Sequence, residues 1–159
     1  MPRPDDDTIK RMHRWFAVEC NNASWDLSEK DSWTEEDEQS FLAAAYASAF
    51  HWEQVGEPIN RARADMLLAH THAQLGEGRR ALNYAQTAVS LLKAAPATDW
   101  DHAFAHLVHA FAAGVSGDRD RMETEWNIAE AQGKKINDAS DRAAFAAAMD
   151  KIRTTLGDF

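Results

Sequence analysis

One cysteine, Cys20, is all the chain has, so no disulfide can form within it and no cysteine cluster for a metal can be built from a single copy. Isoleucine and valine are sparse, which counts against a sheet. No apolar run approaches the roughly 18 residues needed to span a membrane. The opening MPRPDDDTIK has no apolar signal-peptide core, so cytoplasmic residence is expected. Positive charge is short: 17 Lys and Arg stand against 26 Asp and Glu, a net charge of −9 at pH 7. That balance argues against nucleic acid, which needs a basic surface, and against docking on an anionic membrane. Catalytic motifs are missing as well. There is no nucleophile elbow, phosphate-binding loop or HExxH, so no catalytic residue and no cofactor are assigned. Gly76-Glu77-Gly78 is too short and too acidic to cradle phosphate.

What the chain does have is alanine and helical periodicity. At 159 residues it should form one domain. The expectation is a disordered N-terminus over 1–7 and a single helical domain over 8–159. The few breakers are regularly placed: Gly56, Gly76, Pro96 and Gly117 recur about every twenty residues, one helix plus one turn. A first helix is expected from Thr8 to Cys20, broken by Asn21-Asn22-Ala23-Ser24, with Trp25 and Trp33 anchoring a polar connector. Thr34 should cap the second helix and Pro58 should open the third. Thr98-Asp99-Trp100-Asp101 should cap the fifth. Gly133 to Ala139 reads as a polar turn before the seventh.

The organising stretch is Arg61–Leu92, RARADMLLAHTHAQLGEGRRALNYAQTAVSLL, two helices joined at Gly76-Glu77-Gly78. Ala81, Ala85 and Ala88 line one face of the second, where two helices can approach closely. Ala69, Gly76, Ala81 and Ala88 occupy the places of the small residues in the tetratricopeptide repeat (TPR), which this stretch resembles. Asp65 and His72 stand where that motif has large aromatics. Gly76 and Gly117 are 41 residues apart (117 − 76), and the second unit reads as a degenerate copy of the first. AYASAFHWEQVGEPINRARADMLLAHTHAQLGEG is also similar to a family of small bacterial TPR-like proteins. The resemblance implies an all-α fold, a short right-handed α-α superhelix (a TPR-like solenoid) of about seven antiparallel helices. It carries no activity.

Two sets of residues are candidates for function. In the repeat register Tyr46, Phe50, Arg63, Met66, His70, Phe104, Leu107 and Phe111 face the concave groove. Such a groove would bind a peptide, a protein partner or a second copy, unless the seventh helix fills it with Phe145, Met149 and Ile152. The periodicity of the fifth helix alone would instead bury its phenylalanine face. The alternative is a small-molecule or divalent-metal site. His102, His106 and His109 share one helical face at spacings of four and three, and imidazoles so spaced can chelate a metal if His70 or His72 reaches across. Arg61 and Asp65, four residues apart, should form an ion pair, and Arg63 could address a ligand carboxylate at the groove edge.

Overall fold

The computed structural model describes residues 3–157. The expectation of disorder over 1–7 thus lies partly on Met1 and Pro2, outside the described residues, as do Asp158 and Phe159 at the far end of the expected domain. Among the described residues there are seven helices and no strand. They are α1 (Asp6–Ser28), α2 (Glu35–Val55), α3 (Pro58–Gln74), α4 (Gly78–Leu92), α5 (Asp99–Val115), α6 (Arg119–Gly133) and α7 (Ala139–Leu156). The all-α class read from the sequence holds. α1 packs on α2, α3 on α4 and α5 on α6. Neighbouring hairpins join through α2 with α3 and α4 with α5, and α7 lies against α5. This succession is compatible with a solenoid.

The turns follow from local chemistry. Leu75 closes α3, and Gly76 takes a φ of 76°, a left-handed conformation that suits glycine. Glu77 N–H then donates to the His72 carbonyl at 2.8 Å and Gly76 N–H to Ala73, the two bonds of a Schellman motif. The turn after α5 repeats it, with Gly117 at 80°, Asp118 N–H to Ala113 and Gly117 N–H to Gly114. The 41-residue offset is therefore a repeat of backbone geometry. The starts of α2 and α5 match as well. Thr34 with Asp37, and Thr98 with Asp101, each form a reciprocal capping box.

Two expectations are corrected. The break at Asn21–Ser24 does not occur: α1 runs straight through to Ser28. Asparagine and serine are weak helix formers, costing up to about 0.7 kcal/mol each relative to alanine. Packing outweighs that cost. Ser24 is fully buried and its hydroxyl donates to the Phe41 carbonyl, while the Ser48 hydroxyl donates to the Ala17 carbonyl at 2.9 Å. Trp25 is consequently a helical residue, whereas Trp33 does anchor the connector, its indole N–H donating to the Leu27 carbonyl at 2.8 Å. The expected Arg61–Asp65 pair is also absent. Arg61 instead reaches the Glu53 carbonyl at 3.5 Å.

α5 is the central helix. It touches α3, α4, α6 and α7, and the run from Ala103 to Ala113 is buried apart from half-buried His106. A helix apolar on every side belongs inside. This resolves the conflict between periodicity and repeat register, because both faces are covered. Ala81, Ala85 and Ala88 of α4 are fully buried, as the small-residue face predicted.

Candidate functional site

Because α1 continues as a helix, Asn21 and Trp25 fall four residues apart on one of its faces, and Glu29 follows at its C-cap. That face looks across α3 and α5 toward α7. Together they enclose a half-open pocket of about 410 Å³. α3 contributes Arg63 and Met66, α5 contributes Trp100, Asp101 and Phe104, and α7 contributes Ala144 and Ala148. The aromatic wall is continuous. Trp100 stacks on Phe104 with centroids 5.5 Å apart, Trp25 meets the same ring edge-on, and Phe145 packs edge-on against Trp100. At one end of the wall, Lys151 of α7 donates to the Ser28 carbonyl of α1 at 2.6 Å.

Arg63 is the cation of this pocket. Its Nε and Nη2 donate to the two carboxylate oxygens of Asp101 at 2.7 and 3.0 Å, a bidentate pair. Asp101 is fully buried, and its Oδ2 also accepts from the Thr98 backbone N–H and hydroxyl. Burial pushes the Asp101 carboxyl up, but the bonds from Arg63 and Thr98 outweigh it and hold the carboxyl below its usual value. The Arg63 side chain is 50% exposed and Nη1 remains uncommitted to Asp101. The capping box of α5 thus orients a guanidinium at the pocket's edge.

Of the groove residues read from the sequence, Arg63, Met66 and Phe104 line this pocket. Leu107 and Phe111 are fully buried in the core and cannot line an open groove. His70 is buried too, against Trp25 at 4.9 Å and Phe111 at 5.8 Å. Burial and the nearby Lys151 charge push its imidazole down to about 3. Tyr46 and Phe50 do not belong to the pocket at all. They are 40% and 55% exposed, with Tyr46 bonded to His72 and Phe50 packed on His51. The covering of α5 comes from this chain: Phe145 and Ile152 of α7 are buried, Met149 packs against the same core, and Trp25 of α1 joins them. Trp25, Asn21 and Glu29 were missed because the expected helix stopped at Cys20.

Of the histidines, His106 and His109 meet at one carboxylate and the others do not join them. His106 Nδ1 lies 2.6 Å from Glu125 Oε2 of α6. His109 Nδ1 lies 3.2 Å from Oε1 of the same carboxylate, within ion-pair range but off the hydrogen-bonding angle. Burial raises the Glu125 carboxyl, and the two imidazoles overcome that and bring it down to about 2. His102 is half-buried and joins neither. His70 points into the aromatic core and His72 toward α2. Among the described residues, no three His, Cys, Asp or Glu side chains are arranged to hold a metal.

A second polar arrangement lies along the seam of α2, α3 and α4. Fully buried His72 has Nδ1 2.7 Å from Glu77 Oε2 and Nε2 2.8 Å from the Tyr46 hydroxyl. Tyr84 lies parallel to the imidazole, with ring planes 2° apart. Farther along the seam, Ala49, Glu53, Arg61, Ala64, Asp65 and Leu91 line a pocket of about 390 Å³. Burial and the Glu53 charge push the Asp65 carboxyl up to about 6.

No protein-family model, no curated protein and no solved structure matches the chain. Among the described residues, no helix is long and apolar enough to cross a membrane.

Proposed function

We propose that the chain is a TPR-like helical-repeat interaction module that captures a short peptide segment in the pocket between α1, α3, α5 and α7. The observation that carries this reading is a guanidinium, fixed by a buried carboxylate, at the edge of an aromatic-walled cavity. Trp25, Trp100, Phe104 and Met66 offer a place for one apolar side chain, whose burial is worth roughly 1.5–3 kcal/mol. Arg63 Nη1 offers two N–H groups to a carboxylate, from a chain end or an acidic side chain. The hairpin succession and the repeated Gly76 and Gly117 turns support the repeat assignment. A cytoplasmic partner protein would supply the peptide.

The test is a panel of short peptides ending in an apolar residue, each with a free or an amidated C-terminus. Binding is read from the change in intrinsic fluorescence of the six tryptophans, of which Trp25 and Trp100 line the pocket. Free-acid peptides should bind more tightly than their amides, and Arg63→Gln should erase the difference. A panel in which no peptide changes the fluorescence, or in which acid and amide bind alike, overturns the reading.

A further inference from the structure

We propose that Glu77, His72 and Tyr46 form a proton relay that makes the Tyr46 phenol oxygen a nucleophile toward activated acyl groups. The seam of α2, α3 and α4 would then be a covalent acyl-acceptor site, separate from the peptide pocket. The argument begins with the tautomer. An ionised carboxylate only accepts hydrogen bonds, so the 2.7 Å contact with Glu77 requires the proton on His72 Nδ1. The Nε2 lone pair is then free to accept from the Tyr46 hydroxyl at 2.8 Å. Burial lowers the imidazole pKa, partly offset by Glu77, so the ring is available as a neutral base.

The fold holds all three groups in place. The Schellman turn at Gly76 folds Glu77 back onto the last turn of α3, where its own N–H bonds the His72 carbonyl. Tyr84 lies parallel to the imidazole, with centroids 5.6 Å apart, and its hydroxyl donates to the Tyr46 oxygen from 3.4 Å. That donor would stabilise negative charge on Tyr46. The base is buried, while Tyr46 as a whole residue is 40% exposed. Glu53, Asp65 and Leu91 lie seven residues from Tyr46, His72 and Tyr84 respectively. The seam pocket therefore begins about 10 Å away and has room for the rest of a donor.

The step balances without a further reactant. Tyr46 oxygen attacks the acyl carbon as its proton passes to His72 Nε2, and Glu77 stabilises the resulting imidazolium. The bond from the acyl carbon to its leaving group breaks, and the leaving group departs with its electron pair, taking the proton back from Nε2. The product is an ester on Tyr46.

Tyr46 and Tyr84 are the only tyrosines, so peptide mass mapping resolves each site. The protein is treated with N-acetylimidazole near neutral pH, with N-acetyltyrosinamide as the free-phenol standard. Tyr46 should acetylate about a hundred-fold or more faster than the standard, the low end of what a positioned base supplies. Glu77→Gln, at a partly exposed position, should bring Tyr46 to the standard's rate while leaving the circular dichroism unchanged. His72→Gln should do the same where the variant folds. Tyr46 reacting no faster than the standard overturns the relay, and so does a fast Tyr46 that Glu77→Gln leaves fast.

Discussion

Asp65 is a group whose ionisation the fold opposes. Its carboxyl is pushed from an ordinary 3.8 to about 6, first by burial and then by Glu53. The native state therefore holds this proton more tightly than the unfolded chain. The favourable contribution is complete below 3.8 and is lost as pH rises through 6. Asp65→Asn should raise the melting temperature at neutral pH, and the gain should vanish in melts run below pH 3.8. Glu125 has the opposite sign. Burial raises its carboxyl, but His106 and His109 draw it from 4.5 to about 2, so its contribution is present above 4.5 and lost as pH falls toward 2. Between those values the wild type should lose melting temperature more steeply than Glu125→Gln. Arg63→Lys should melt below the wild type, because an ammonium cannot reproduce two parallel bonds to Asp101. At this scale the sequence revealed residue types and spacings but not partners. Asp65 and His72 were visible as polar residues in aromatic places. Nothing local showed that His72 would meet Tyr46, or that Glu125 of α6 would bring His106 and His109 to one carboxylate.

At the scale of the element, periodicity and capping carried the reading a long way. The capping box at Thr98 and Asp101, the proline opening α3 and the glycines ending α3 and α5 are local signals, and they stand where expected. α1 was cut short because Asn21-Asn22-Ala23-Ser24 looks like a break until Ser24 finds Phe41. That contact spans 17 residues, so no local window could contain it. Alanine spacing in α4 proved a dependable sign of close approach, since Ala88 has no exposed surface. Ala88→Leu should overpack that contact and destabilise the protein by about 1–3 kcal/mol. Chemical denaturation gives that value directly, and an unchanged midpoint would mean that α4 has room to spare.

The whole molecule is organised around α5, which the sequence marked as apolar without saying what would cover it. The cover is shared by α3, α4, α6 and α7, with Trp25 of α1 against Phe104. Phe111→Ser should therefore cost at least about 3–5 kcal/mol, the range for truncating a buried phenylalanine. The same variant should lose its cooperative melt before it loses any surface contact, because Phe111 has no exposed area. The bond from Lys151 to Ser28 has a separate consequence for the order of events as the chain is made. It joins residues 123 positions apart, while the hairpins that precede it close over short turns. During synthesis from the N-terminus, α1, α3 and α5 emerge before α7, so three sides of the pocket between them exist before the fourth. A nascent chain would pass through a stage in which Trp25, Trp100 and Phe104 are bare on one side.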